Sequence, residues 1–383
     1  MLMDAKRNNT HTLATQRATR AVFLVAGISM SAWAPLVPFA RERLGVSDAS
    51  LGSLLLFLGA GSLIAMPLTG WLVARFGCKN TMLCSSLLIM MMLPLLAILP
   101  TPWMLALALA LFGAGLGTLD VAMNFQAVEV EKQADRPMMS GFHAFYSLGG
   151  IIGAGAVSLL LWVGLTPVAA IGVIIVMLLL LMVFSLPHLL NERIHQSDTP
   201  LFVIPRGWVA FLGLLCFILF LAEGAVLDWG ALLLIQTRDL PVAQAGLGYA
   251  IFSVAMTIGR LTGDRVVKRF SRYSVMVSGC CLAALGIALA VWLPQPQIAL
   301  LAFLLVGFGL ANTVPMLFTA VGAQKTMPAN LAISAMTTIG YTGILTGPAL
   351  IGYISQWLSL SIAFSLIALL LLVVAASARL VTR

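Results

Sequence analysis

An all-α integral membrane fold, with twelve transmembrane helices in two six-helix bundles related by a parallel repeat, is predicted by three observations. The first is composition: 61% of residues are hydrophobic and 9% charged, with a mean hydropathy of +1.06, whereas a soluble domain carries about 25% charge. The second is a repeat. Trp33, Val46, Ala49, Leu51 and Gly52 recur as Trp229, Val242, Ala245, Leu247 and Gly248 at a shift of 196 residues. Further on, Arg75-Phe76 matches Arg269-Phe270, Gly113-x-Gly115-Leu116 matches Gly307-x-Gly309-Leu310, and Gly149 and Gly153 match Gly343 and Gly347, all at a shift of 194. The third is the asymmetry of basic residues. With the N-terminus on the cytoplasmic side, every Lys and Arg except Arg41, Arg43 and Arg238 falls on that side, as the positive-inside rule requires. Both termini are therefore expected in the cytoplasm. The +8 net charge reflects orientation and calls for no nucleic-acid partner.

A bilayer core about 30 Å thick takes roughly 20 apolar residues per helix, and the spans follow in order. The first (18–40) comes after 17 polar residues without a small-residue cleavage site, so an uncleaved helix is expected and no removed signal peptide. The second (49–73) and third (80–99) flank a short basic turn, and the fourth (103–128) runs into a polar end. The fifth (140–163) opens with His143 and Tyr146 beside Gly149, Gly150 and Gly153, and the sixth (167–187) closes a first bundle, 1–187. A hydrophilic stretch, 188–206, is read as the cytoplasmic linker. The second bundle, 207–383, contains spans at 207–235, 244–264, 274–293, 297–320, 330–353 and 357–378. Duplicated membrane-embedded halves are how many secondary transporters build one pathway between two moving bundles. The five cysteines lie in spans or at cytoplasmic ends without CxxC spacing, so neither a disulfide nor a metal site is expected.

Intramembrane acids are functional candidates because a carboxylate is costly in lipid. Asp120 shares one face of the fourth span with Gly113, Gly117 and Asn124 by i, i+3 and i+4 spacing. It is the leading candidate for proton exchange; the plainer reading is a carboxylate hydrogen-bonded between helices. Glu223 in the seventh span is the second, placed beyond the midplane from the cytoplasmic side, and Asp228 lies near the outer interface. No Lys or Arg falls in the middle third of a span, the deepest being Arg260 near the inner end of the eighth, so a neutral or cationic solute is expected. Asn124, Asn312, Tyr341 and Gln126 could hydrogen-bond a neutral solute, and Trp33 or Trp229 could stack on a sugar. Each could equally serve as helix–helix glue or an interface anchor. His143 could relay protons, though a hydrogen bond near the interface explains it as well.

The loop motifs carry a family resemblance. Gly70-Trp71-Leu72-Val73-Ala74-Arg75-Phe76-Gly77-Cys78-Lys79 resembles the G-x-L-x-D-R-x-G-x-K/R signature of the Major Facilitator Superfamily, with Ala74 in place of the acid, and Gly263-Asp264-Arg265 followed by Lys268-Arg269-Phe270 is a looser second copy. The resemblance covers essentially the whole chain. It implies that Gly70, Arg75, Gly77, Lys79, Asp264, Arg265 and Arg269 form gating loops, with Asp264 taking more of the role that Ala74 has lost. It also implies that spans 3, 6, 9 and 12 face lipid; none of them has a charge in its apolar stretch. In the fourth span Leu119-Asp120-x-Ala122-x-Asn124 is similar to the acid-x-x-x-Asn motif of the fucose-permease branch. The antiporter pattern G-x-x-x-G-P-x-x-G-G of drug exporters has an approximate match only in the eleventh span, from Gly343 through Gly347-Pro348 to Gly352. What these features imply is a monomeric carrier in the cell inner membrane, proton-coupled, moving a small neutral polar solute such as a sugar by alternating access without a cofactor. Proton-driven efflux of a cationic or amphipathic compound is the alternative. A membrane enzyme would need clustered nucleophiles, acid–base groups or metal ligands, and the four His and five Cys are dispersed.

Overall fold

A computed structural model describes residues 2–46, 48–190, 203–238 and 247–382. Most of the linker, together with Val242 and Ala245 of the repeat, lies outside these residues. The described chain is helical: α1 (Leu2–Ala32), α2 (Val37–Leu44), α3 (Asp48–Phe76), α4 (Cys78–Ile98), α5 (Pro102–Ala134), α6 (Met139–Trp162) and α7 (Pro167–Ser185), then α8 (Gly207–Arg238), α9 (Leu247–Phe270), α10 (Arg272–Trp292), α11 (Pro296–Leu310), α12 (Thr313–Ala323), α13 (Ala329–Trp357) and α14 (Leu360–Val381). Ten helical segments are long and apolar enough to cross a membrane, α1 with α2 and α11 with α12 each counting as one. The two outside that set are α9, whose second half carries Arg260, Asp264, Arg265, Lys268 and Arg269, and α13, rich in Thr, Ser and Gly.

Helix starts follow local chemistry. Pro102, Pro167 and Pro296 open α5, α7 and α11, where a missing N–H is harmless and the fixed φ suits the first turn. Thr166 and Ser359 cap α7 and α14, accepting from Ala169 N at 3.3 Å and Ile362 N at 3.2 Å. The tight α3–α4 turn needs Gly77 at φ 84°.

Three features differ from the sequence expectation. The fourth span continues to Ala134 instead of ending at 128, its polar end supported by a Glu129–Lys132 pair at 2.9 Å. The first span breaks at a 3-10 turn, Ala34–Leu36, because Pro35 lacks a donor and its ring crowds the carbonyl four residues back. The tenth span breaks between Leu310 and Thr313 for the same reason, with Pro315 depriving Ala311 O of its helical donor.

Contacts divide the chain into two units. One comprises Met1–Asp135, Phe145–Ile204 and Met327–Ser334; the other comprises Arg136–Ala144, Pro205–Thr326 and Ala335–Arg383. The start of α6 groups with the second unit and the start of α13 with the first.

Within each unit the repeat is a repeat of contacts. A Cβ at Gly113 would overlap the Leu58 carbonyl, and one at Gly307 would overlap the Phe252 carbonyl; Gly115 meets Ser85 and Ile89 as Gly309 meets Gly279 and Ala283. Both partners of each pair are displaced by the same 194 residues. Two arginines assigned to the outer side obey the same symmetry. Arg43 donates to the Leu96 and Leu99 carbonyls at 2.9 and 3.0 Å and to Ala97 O, at the C-terminus of α4. Arg238 donates to Ala290 O at 3.0 Å and to Val291 O, at the C-terminus of α10. Each places a cation where unpaired carbonyls and the helix dipole favour one.

Candidate functional site

Asp120 lies in the middle third of α5. Its helix approaches α3 closely because Gly113 and Gly117 lack side chains: a Cβ at Gly117 would sit 2.9 Å from Ser62 Cα, and Ser62 Oγ donates to Gly113 O at 2.8 Å. The glycines sharing a face with Asp120 therefore serve helix packing. Asn124, fully buried one turn on, donates from Nδ2 to Asp120 O at 2.9 Å and to Asp120 Oδ1 at 3.4 Å. Among the described residues no basic side chain pairs with Asp120.

In the second unit Glu223 has a different environment. Its Oε1 is 3.4 Å from Arg260 NH2, and Arg260 Nε donates at 3.3 Å to Ala311 O, the carbonyl stripped of its helical partner by Pro315. Asn312 Nδ2, in the same break, donates to Gly259 O at 3.3 Å. A half-buried carboxylate, a buried guanidinium and a helix discontinuity thus form one polar junction across α8, α9, α11 and α12. This corrects the reading of Arg260 and adds a partner to Glu223. Arg260 is 8% exposed and lies in the middle third of α9 rather than near its end. Glu223, central in α8, meets that cation. Sequence spacing could not pair residues 37 positions apart, although Pro315 four residues after Ala311 did signal a carbonyl in need of a donor.

The other candidates fall into separate places. Trp33 sits beside the first-span break and Trp229 in α8, its ring against Gly352; the indole N–H of each is buried without an acceptor among the described residues. These are the same position of the repeat. Tyr341 packs edge-on against Phe220 at 5.6 Å, and His143 lies 5.5 Å from the Phe318 ring. Asp228 is exposed. Gln126 is engaged at both ends of its amide, its Nε2 donating to Thr19 Oγ1 at 3.0 Å and its Oε1 accepting from Leu190 N at 3.1 Å, which makes it a tie between α1, α5 and the end of the first six spans.

The loop residues make local contacts. Asp264 Oδ2 accepts from Gly141 N at 3.0 Å in the first turn of α6, where a helix N-terminus favours an anion. At the corresponding place in the first unit, Asn330 in the first turn of α13 donates to Gly70 O at 2.7 Å. Arg75 stacks over Trp71 and Phe76 at 5.3 and 5.8 Å, and Arg269 over Phe270 at 5.5 Å. Lys79 and Arg265 lie in α4 and α9.

Two helical units built on one repeated contact scheme, with charged groups at mid-helix, define a polytopic membrane carrier. The chain belongs to the Major Facilitator Superfamily, whose family model matches residues 21–330. It is 54% identical over 371 residues to an MFS-type transporter of Yersinia pestis, covering 97% of each chain. In three dimensions it resembles the Escherichia coli fucose:proton symporter FucP, with a TM-score of 0.81, 15% identity and coverage of 96% of this chain and 98% of that one. It also resembles the human organic anion transporter MFSD10, with a TM-score of 0.79, 15% identity and coverage of 96% and 99%. Neighbours with such different cargo establish the fold and leave the solute to the site. The chain is a transporter and not an enzyme.

Proposed function

We propose that this chain is a secondary active transporter moving a small neutral polar solute, such as a sugar, together with a proton by alternating access. It acts as a monomer in the cell inner membrane with both termini in the cytoplasm. The observation that carries the proposal is Asp120, a carboxylate at mid-helix whose only side-chain partner among the described residues is the Asn124 amide. An acid without a counter-charge in a bilayer is most readily accommodated by taking up a proton, and a proton bound there can be released when the group meets water. Glu223 is the second proton-coupling group, balanced by Arg260. That balance leaves the second unit's junction without net charge, which suits a neutral solute.

Solute contacts are assigned to Trp33, Asn124, Trp229, Asn312 and Tyr341. The two indole N–H groups weigh most here, since an unpaired buried donor costs about 1–3 kcal/mol and a solute hydroxyl reaching them in the transport cycle supplies the acceptor. Gly70, Arg75, Gly77, Lys79, Asp264, Arg265 and Arg269 act as gating loops, with the Asp264–Gly141 hydrogen bond as their charged contact. The test is solute-induced pH change in vesicles holding the purified protein, screening sugars beside cationic drugs, with Asp120→Asn in parallel. A sugar-dependent proton flux lost in the variant supports the proposal; flux retained in the variant moves the proton site elsewhere. A second reading, efflux of a cationic compound, draws on the same uncompensated Asp120 charge and is the result if only cationic drugs elicit flux.

A further inference from the structure

Away from both carboxylates, the first unit holds a groove of about 540 Å³ between the end of α3, the start of α4 and the middle of α5. Leu72, Phe76, Cys84, Leu88, Ala114 and Thr118 are among its walls, and Phe76 and Cys84 are exposed. Its size is that of a ligand cleft, roughly 300–1,000 Å³.

One end of the groove carries charge. The Arg75 guanidinium stands 5.8 Å from the ring of Phe76, a wall residue, and Lys79 precedes Asn80, another. Among the described residues no acidic side chain pairs with either cation. The loop itself offers no acid beside them, since Ala74 stands where the loop signature has one.

The repeat indicates that the opening is particular to this half. A shift of 194 aligns Ala114 with Phe308 and Thr118 with Asn312, so bulk stands where the first unit has space. The Phe308 ring closes on α9, with Cδ1 3.3 Å from a Cβ built at Gly259.

We propose that this groove binds an acyl chain of an anionic phospholipid, with the phosphate held by Arg75 and Lys79. A largely apolar groove that meets a bilayer is filled by lipid tails, which are as apolar as its walls and add packing contacts. Selection among lipids then rests on the headgroup, and basic side chains at the cytoplasmic leaflet favour an anionic one. The site depends on the membrane orientation read from the basic residues, not on the transported solute or on Asp120.

Native mass spectrometry of the full chain, released from detergent and titrated with phosphatidylglycerol or with phosphatidylcholine of the same acyl composition, tests this. One phosphatidylglycerol is expected to bind more tightly than phosphatidylcholine, with Arg75→Gln and Lys79→Gln each weakening it by about fivefold. Ala114→Phe, which copies the second half, is expected to remove the bound lipid while both cations remain. Wild-type affinity in Ala114→Phe, indifference to the two cations, or equal binding of both lipids would overturn the proposal. A readout on the unaltered protein stands beside it: added phosphatidylglycerol should slow alkylation of Cys84 but not of Cys281, the exposed cysteine of the other unit. Equal slowing of both thiols, or none, would also overturn it.

Discussion

Asp120 and Glu223 each lie in the middle third of a helix, in two units built to one plan, yet their surroundings differ. Asp120 is answered by an amide, whereas Glu223 is answered by a buried guanidinium that also supports a broken helix. The repeat explains how this came about. At a shift of 194, Asp120 aligns with Val314, and at 196, Glu223 aligns with Gly27, which packs directly on the Tyr146 carbonyl. Neither acid has a twin. Duplication preserved the contacts that hold helices together and left the chemistry free to diverge, because a backbone contact depends on a small residue while a charge depends on its particular neighbour.

The contrast can be tested through stability. Arg260→Met removes the buried partner of the half-buried Glu223 carboxylate, and breaking a buried pair costs up to about 3–5 kcal/mol. The double variant with Glu223→Leu should recover most of that loss in thermal unfolding of the detergent-solubilised protein. If the double variant is no more stable than Arg260→Met alone, the two residues are not coupled. Next in size are the repeated glycine contacts: Gly113→Ala and Gly307→Ala force a methyl onto backbone and should each lose about 1–3 kcal/mol. Gly155→Ala, which meets nothing within 4 Å, is the control that should lose none. Unequal losses at Gly113 and Gly307 would mean that the two units are less alike than their contacts suggest.

Smaller effects are expected at the C-terminal ends of α4 and α10. Arg43→Gln and Arg238→Gln withdraw a cation from a helix C-terminus, a loss of about 0.3–1 kcal/mol each, with 2 kcal/mol the upper reach. The same thermal measurement compares them, and a matched pair of values would sharpen the symmetry. Asp120→Asn should change stability least, by about 0.5 kcal/mol or less, since no ion pair is broken, while abolishing solute-driven proton flux. A large stability loss there would mean that the Asp120 carboxylate, like that of Glu223, holds its helix in place through its partner, and would erase the difference between the two units.

Much of the fold was legible without coordinates. Apolar runs of membrane-crossing length located the helices, and the matched glycines at 113, 115, 307 and 309 marked contacts that the structure makes. Prolines marked the breaks less openly, because the same residue is tolerated inside α3, α4 and α13 at Pro67, Pro94 and Pro348. The site was legible only in its members. Asp120 and Asn124 are one turn apart on one helix, so their pairing follows from spacing alone. The Gln126 tie to Thr19 and Leu190 joins residues far apart in sequence, and no periodicity reports that.

By itself, then, the sequence determined the elements, their number and their repetition, since hydrophobic length and small-residue spacing are properties of a single helix. Tertiary structure alone decided which polar groups are paired. Arg260 became a mid-helix partner of Glu223, Arg43 and Arg238 became caps on α4 and α10, and the starts of α6 and α13 joined units other than those their chain positions suggest. The physical reason is the same each time. A buried charge or an orphaned carbonyl must find its complement wherever packing brings one within hydrogen-bond reach, and that distance in space is not written in distance along the chain.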